Sequence, residues 1–305
     1  MELEIHDGTA LAENLAAADT FWIAERFLAV PAVIFLRNEL TRDDGYEDAR
    51  QKWMRTSAES DSYSQFEEIK SLLRHSKATE SVRNDLPFWI EKTEEFTVAG
   101  TPRHLRRNAI YEVSVARLRG LGVLTGYEDR VCEFFDGTSE CETVDELEDC
   151  VLLMSYCCTA RLMGQVELEL NRLSDWRIQL RNAVESVRAR VTLRLQKALC
   201  TQLLGTLSFH TVDGSGVGVD PYAQLEQWVQ LIDLIPESPL FPIDQFSKMV
   251  TMFCPMVSDW PEYRRLADAV DSCLADRVGG HAAARRCFER ASAHHCGGPQ
   301  KLGAR

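Results

Sequence analysis

At 305 residues, 45% hydrophobic and 27% charged, the chain can bury a large core, as one extended domain or two to three compact ones, and its composition argues against disorder over most of its length. The formal net charge of −13 repels phosphate backbones and anionic lipid, which disfavours nucleic-acid and membrane partners and suits a basic protein or peptide.

The chain opens on Met1-Glu2-Leu3-Glu4, acidic where an export signal would be basic. The apolar run from Phe21 to Leu36 carries Glu25, Arg26 and a central Pro31, and it is short for a membrane span. It reads as a buried helix bent at the proline. Periodicity predicts helices over 9–40, 46–56, 62–76, 82–96 and 102–119, with Thr101-Pro102 opening the fifth. Gly120, Gly122 and Gly126 then mark a break.

The middle of the chain is the most strongly periodic. Thr143 and Glu146 have the spacing of a capping box. From there Leu147, Val151, Met154, Cys158, Leu162, Val166, Leu170 and Leu173 follow at helical steps. Ser174-Asp175 would cap a second run carrying Leu180, Val184, Val187, Val191, Leu195, Leu199, Leu203 and Leu207. Two such helices joined by a short turn pack antiparallel, whereas one uninterrupted helix would leave its stripe uncovered.

The Gly-rich stretch Asp213 to Asp220 reads as a hinge, and Pro221 starts a helix to about Ile235. Further helices are expected over 242–254, 261–278 and 280–294. No stretch alternates with period two, so no strand is expected. The predicted fold is all-α, with an N-terminal helical bundle (1–125), a central long antiparallel helical hairpin (126–212) and a C-terminal helical segment (220–305).

Trp260-Pro261 opens that last segment's helical pair. Tyr263, Leu266, Val270 and Leu274 step along one face, Gly279-Gly280 breaks the chain, and Ala284, Phe288 and Ala291 form a second face. The small–aromatic–small spacing resembles the second helix of a tetratricopeptide repeat over about 40 residues. The first helix departs from that family, its usual Trp, Gly and Tyr positions falling on Asp268, Ser272 and Ala275, and no second copy follows. The resemblance implies an α-solenoid groove that binds a peptide or partner helix, while an ordinary helical hairpin fits the same residues.

Ten cysteines (Cys132, Cys141, Cys150, Cys157, Cys158, Cys200, Cys254, Cys273, Cys287 and Cys296) are irregularly spaced and read mostly as reduced, buried, apolar side chains of a cytoplasmic protein. The adjacent Cys157 and Cys158 lie mid-helix, a setting that favours packing over redox chemistry. Cys287, His294, His295 and Cys296, with Cys273 or His281, are the best metal candidates, but they lack paired-ligand spacing. Neither a metal nor a cofactor is expected. Gly214-Ser215-Gly216-Val217-Gly218 lacks the Lys of a phosphate loop, and none of the seven histidines sits in a catalytic signature.

Residues 128–149 hold ten acidic side chains against Arg130 alone. Basic helices flank them, one with Arg103, Arg106, Arg107, Arg117 and Arg119, the other with Arg177, Arg181, Arg188, Arg190, Arg194 and Lys197. These faces either neutralise each other within the fold or leave a basic groove. The expected function is a non-catalytic interaction, scaffold or regulatory adaptor protein that binds another protein or peptide. Candidate partner-binding residues are Arg181, Arg188, Arg194, Trp228, Tyr263 and Phe288, the aromatics being more often core than groove. The alternatives are a helical effector enzyme with a site assembled from distant residues, and a nucleic-acid or phospho-ligand binder using the basic helix 177–197.

Overall fold

The structure, a computed structural model, describes residues 43–141 and 143–278. The expected helices over 9–40 and 280–294, the bend at Pro31, the Ala284, Phe288 and Ala291 face, and the cluster of Cys287, His294, His295 and Cys296 with His281 lie outside the described residues. Eleven α-helices and one two-stranded hairpin form the described chain, an all-α fold. It divides into two units: Met1–Ala183 with Val212–Val217, and Val184–Thr211 with Gly218–Arg305. The chain thus crosses between the units inside a helix, at Ala183 and Val184, and again at either end of the segment Val212–Val217.

In the first unit, α1 (Asp43–Arg55), α2 (Tyr63–Ala78) and α3 (Leu86–Glu94) bury Trp53, Phe66, Ile69, Leu72, Leu73 and Trp89. Ser62 caps α2 by accepting from the Gln65 amide at 3.5 Å. The indole of Trp89 donates to the Tyr46 hydroxyl at 2.7 Å, which in turn donates to Asp85 at 3.1 Å, so these buried polar groups are satisfied. Next comes α4 (Arg103–Ala116), in which every residue from Ala109 to Ala116 is buried. A helix buried on all sides is a central helix, and α4 packs against α2, α3, α5 (Glu128–Asp136) and α6 (Val144–Leu162). Half of the capping box forms: the Glu146 amide donates to Thr143 Oγ1 at 3.3 Å, while the Glu146 carboxylate accepts from the Thr143 hydroxyl at 3.4 Å in place of the Thr143 backbone amide.

The two long stripes of the sequence are three helices. Gly164, at φ +70°, ends α6, and the Gln165 amide closes the turn onto the Ala160 carbonyl at 2.8 Å. Helix α7 (Leu170–Arg190) then begins upstream of Ser174-Asp175, which lie inside it rather than capping it. The extended residue Leu193, following the β-branched pair Val191-Thr192, separates α7 from α8 (Arg194–Phe209).

The expected hinge is a β-hairpin of β1 (His210–Asp213) and β2 (Gly216–Val219). Asp213 Oδ1 holds its turn by accepting from the Ser215 amide at 2.7 Å, the Ser215 hydroxyl at 2.5 Å and the Gly216 amide at 3.2 Å. Asp220 then caps α9 (Pro221–Trp228), accepting from the Ala223 amide at 2.9 Å, with Pro221 at the first helical position.

The second unit closes around Trp228. Its ring meets Phe246 and Phe253 of α10 (Ile243–Val257) edge-on, at centroid distances of 5.1 and 5.3 Å, and its indole donates to the Gln202 carbonyl at 3.1 Å. Helix α11 (Pro261–Val278) packs on α10 and buries Tyr263, Leu266, Val270 and Leu274 along the expected face. Gly205 lets α8 approach this ring, since a Cβ there would lie 2.2 Å from Trp228 Cδ1. Gly205→Ala is therefore expected to destabilise the second unit by about 1–3 kcal/mol, read as a lower midpoint in urea unfolding followed by Trp fluorescence. An unchanged midpoint would mean that the indole can shift without loss.

Candidate functional site

Two charged side chains of α4 enter the first unit's interior, and each meets a different kind of partner. Glu112 is 1% exposed and is ion-paired with Arg74 of α2, whose Nε donates to Glu112 Oε2 at 3.1 Å and whose Nη2 donates to Oε1. Nearby, burial raises the carboxyl of Asp149 on α6 well above the usual carboxylate range, and the neighbouring Asp145, Glu112 and Glu148 charges add to this. Burial likewise raises the Tyr111 phenol and lowers the Lys77 ammonium.

Arg107, one and a half turns earlier on α4, has sulfur for a partner. Its Nη2 donates to Cys141 Sγ at 3.3 Å and to Cys150 Sγ at 3.2 Å. Its Nη1 donates to the Phe134 carbonyl at 2.9 Å, and the guanidinium lies 4.5 Å from the centroid of the Phe134 ring. The two sulfurs are 4.0 Å apart. Among the described residues, Arg107 forms no ion pair with a carboxylate. Gly137 makes room for it, since a Cβ there would meet Nη1 at 2.5 Å.

The two thiols differ. The hydrogen bond from Cys150 lowers the Cys141 thiol below its usual value; burial opposes this, and Arg107 lowers it further. The same hydrogen bond and burial raise the Cys150 thiol well above its usual value. Cys141 is thus the more acidic thiol of the pair, and its Sγ also donates to the Gly137 carbonyl at 3.9 Å. By contrast, burial pushes Cys157 up, and it pushes Cys158 to about 12 although the Arg177 charge opposes it.

The acidic segment and its basic flank neutralise each other in part. Arg103 pairs with Glu140 at 3.1 Å and Glu146 at 3.3 Å, Arg106 with Glu133 at 2.7 Å, and Arg172 with Asp136 at 3.6 Å. Of the sequence candidates, Arg188 donates to Gln230 at 2.9 Å and Arg194 pairs with Glu237 at 3.0 Å, both within the second unit. Arg181 lies half-buried on α7, in the first unit. Trp228 and Tyr263 are buried core residues, and Phe288 lies outside the described residues. No group of three potential metal ligands converges among the described residues, and no helix among them is long and apolar enough to cross a membrane.

Among the exposed apolar side chains of the second unit, which also include Val219, Tyr222 and Leu240, two methionines lie along one face of α10. Met252 is 67% exposed and Met256 41%, and they follow the half-buried Met249 at steps of three and four residues. Met249 Sδ accepts from Gln202 Nε2 at 3.7 Å, which anchors the inner edge of the stripe. Sequence reasoning passed over this face and over the Arg107 cluster. The methionine spacing was readable as one face of a helix, whereas the cysteines, nine residues apart with only Cys150 on a helix, carry no local signal.

No family model, curated protein or solved structure matches the chain.

Two outcomes follow from the charges around α4. The Arg74 side chain is 49% exposed and that of Glu112 1%, so losing either partner is not equivalent. Arg74→Met strands a buried carboxylate and is expected to cost about 3–5 kcal/mol, whereas Glu112→Gln leaves an arginine that water can solvate and costs less; equal losses in chemical denaturation would refute this asymmetry. The second outcome concerns Asp149, whose folded-state carboxyl is raised. The folded chain then holds this proton more tightly than the unfolded one, so stability declines as pH rises from the ordinary aspartate range through the raised value. Asp149→Asn removes that decline. In melting scans across pH the variant should exceed the wild type at neutral pH and converge with it in acid, and parallel curves would exclude Asp149 as the source.

Proposed function

We propose that the chain is a non-catalytic interaction protein that docks a basic amphipathic segment of another protein on the Met249, Met252 and Met256 face of α10. The observation that carries this reading is the exposure of Met252 and Met256 on one helical face. Unbranched thioether side chains adapt to varied apolar partners, and a folded chain gains nothing by leaving them in water. Pro255, also exposed, removes a backbone donor from the same helix. The formal charge of −13 supports a basic partner through long-range attraction. It weighs against nucleic acid, as does Glu237 beside Arg194, which competes for the cation a phosphate would need.

The tetratricopeptide-like reading belongs to the same proposal. It is supported by the packed pair α10 and α11, whose second member buries the expected Tyr263, Leu266, Val270 and Leu274 face. A reducing, cytoplasmic setting is supported by eight described thiols, six of them buried.

The test uses Met252→Ser with Met256→Ser, which removes apolar contact without altering charge. Wild-type chain should retain a protein bearing a basic amphipathic helix, and a peptide of that helix should bind the double variant about tenfold or more weakly at unchanged melting temperature. Equal binding by both chains overturns the reading, as does retention of nucleic acid alone or turnover of a small molecule by the isolated chain.

A further inference from the structure

The grouping of Arg107, Cys141 and Cys150 goes beyond packing. A half-buried guanidinium is costly unless an anion balances it, and among the described residues its near acceptors are two sulfurs and one carbonyl. The sulfurs lie 4.0 Å apart, and a disulfide requires about 2.05 Å. Closing that gap takes a shift of about 2 Å. Cys141 is placed to make it: it stands outside the helices, after the 3₁₀ turn Gly137–Glu140, with an extended backbone at φ −73° and ψ 121°. Cys150 is fixed on the second turn of α6 and is fully buried, while Cys141 retains 6% exposure at the edge of the cluster.

We propose that Cys141 and Cys150 form a peroxide-sensitive dithiol, with Cys141 as the attacking sulfur, Cys150 as the resolving sulfur, and Arg107 as the positioning residue that holds both. The oxidant is hydrogen peroxide or a small organic hydroperoxide, a class compact enough for a sulfur at the rim of a core. The Cys141 thiolate attacks one peroxide oxygen, the O–O bond breaks, and hydroxide leaves and takes up the proton that the Cys141 thiol had released. The product is a Cys141 sulfenic acid. The Cys150 sulfur then attacks the Cys141 sulfur, the S–O bond breaks, and the hydroxyl leaves with the Cys150 proton as water. Two thiols and one hydrogen peroxide become one disulfide and two waters, and an organic hydroperoxide, whose alkoxide leaves in place of hydroxide, gives one alcohol and one water; the sulfurs lose two electrons and the peroxide gains them. The disulfide carries no charge, so oxidation removes the anion that faces Arg107 and leaves it the Phe134 carbonyl and ring.

The test exposes the full chain to substoichiometric hydrogen peroxide and maps the products by mass spectrometry. Cleavage at glutamate separates Cys132, Cys141 and Cys150 at Glu133, Glu140, Glu142, Glu146 and Glu148, and chymotrypsin then separates Cys150 from Cys157 and Cys158. The expected first product is a Cys141–Cys150 link. In Cys150→Ser the link is replaced by a Cys141 sulfenic acid that dimedone traps, and in Cys141→Ser no early product forms at Cys150. Cys141 should react at least about tenfold faster than Cys132, a half-buried thiol raised by burial. Arg107→Met should remove about that advantage while Arg107→Lys, which keeps the charge but cannot bridge two sulfurs, retains part of it; melting curves report whether each variant is folded, and if Arg107→Met is not, Arg107→Lys carries the comparison. A first disulfide between other cysteines, oxidation of Cys141 no faster than Cys132, or an unaltered rate in folded Arg107→Met each overturns the proposal.

Discussion

Two charges placed on one buried helix set the terms for the first unit. Helix α4 is enclosed along its second half, so a charged side chain there has no route to water. Glu112 finds its counter-charge in Arg74, a long side chain that reaches inward from α2 while keeping about half its surface wet. Arg107, half-buried on the first half of the helix, finds sulfur instead. The two arrangements tie α4 to α2 on one side and to α5, α6 and the turn between them on the other. Burial of apolar surface supplies the driving force, and these polar fixings determine which packing is adopted.

The second unit uses a different device. Among its described residues no Asp, Glu, Lys or Arg is buried. A single indole fills the space between α8, α9 and α10, and one glycine sets how close α8 can come. With Trp228 and Phe246 on the inner side, the outward side of α10 carries Met252 and Met256 beside the exposed Asp244, Gln245 and Lys248. Those two methionines could have been polar at no cost to the core. Their apolar character is therefore a property of the surface, which is why they carry the functional reading.

Much of the helical plan was legible in the sequence because local chemistry determines it. The Thr143 and Glu146 box, the Asp220 and Pro221 start and the Pro261 start each fix a helix end through groups within three residues of one another. The breaks at Gly164 and Val191–Leu193 were not legible, for a definite reason. Apolar steps of three and four continue across both, and periodicity alone does not register a turn that keeps its phase. The β-hairpin was hidden by its length, since four residues per strand give too few alternations to stand out. The acidic segment and the Arg103 and Arg106 face could be paired from charge pattern, but their partners could not be named.

The Arg107 cluster marks the limit of that approach and also shows why sulfur stands there. Read along the chain, Arg107 is one of several arginines on a basic helix and Cys141 and Cys150 are two of ten cysteines. Only the tertiary fold brings them together. A carboxylate opposite Arg107 would balance the guanidinium permanently, as Glu112 balances Arg74. A cysteine sulfur can do so only while it is reduced and ionised. Its charge is lost when the sulfur forms a bond to its neighbour, and 4.0 Å away there is a neighbour with which to form one. The same contact that stabilises the fold in the reduced chain thus makes the charge balance of α4 depend on redox state, and a helix packed against four others is well placed to transmit that change.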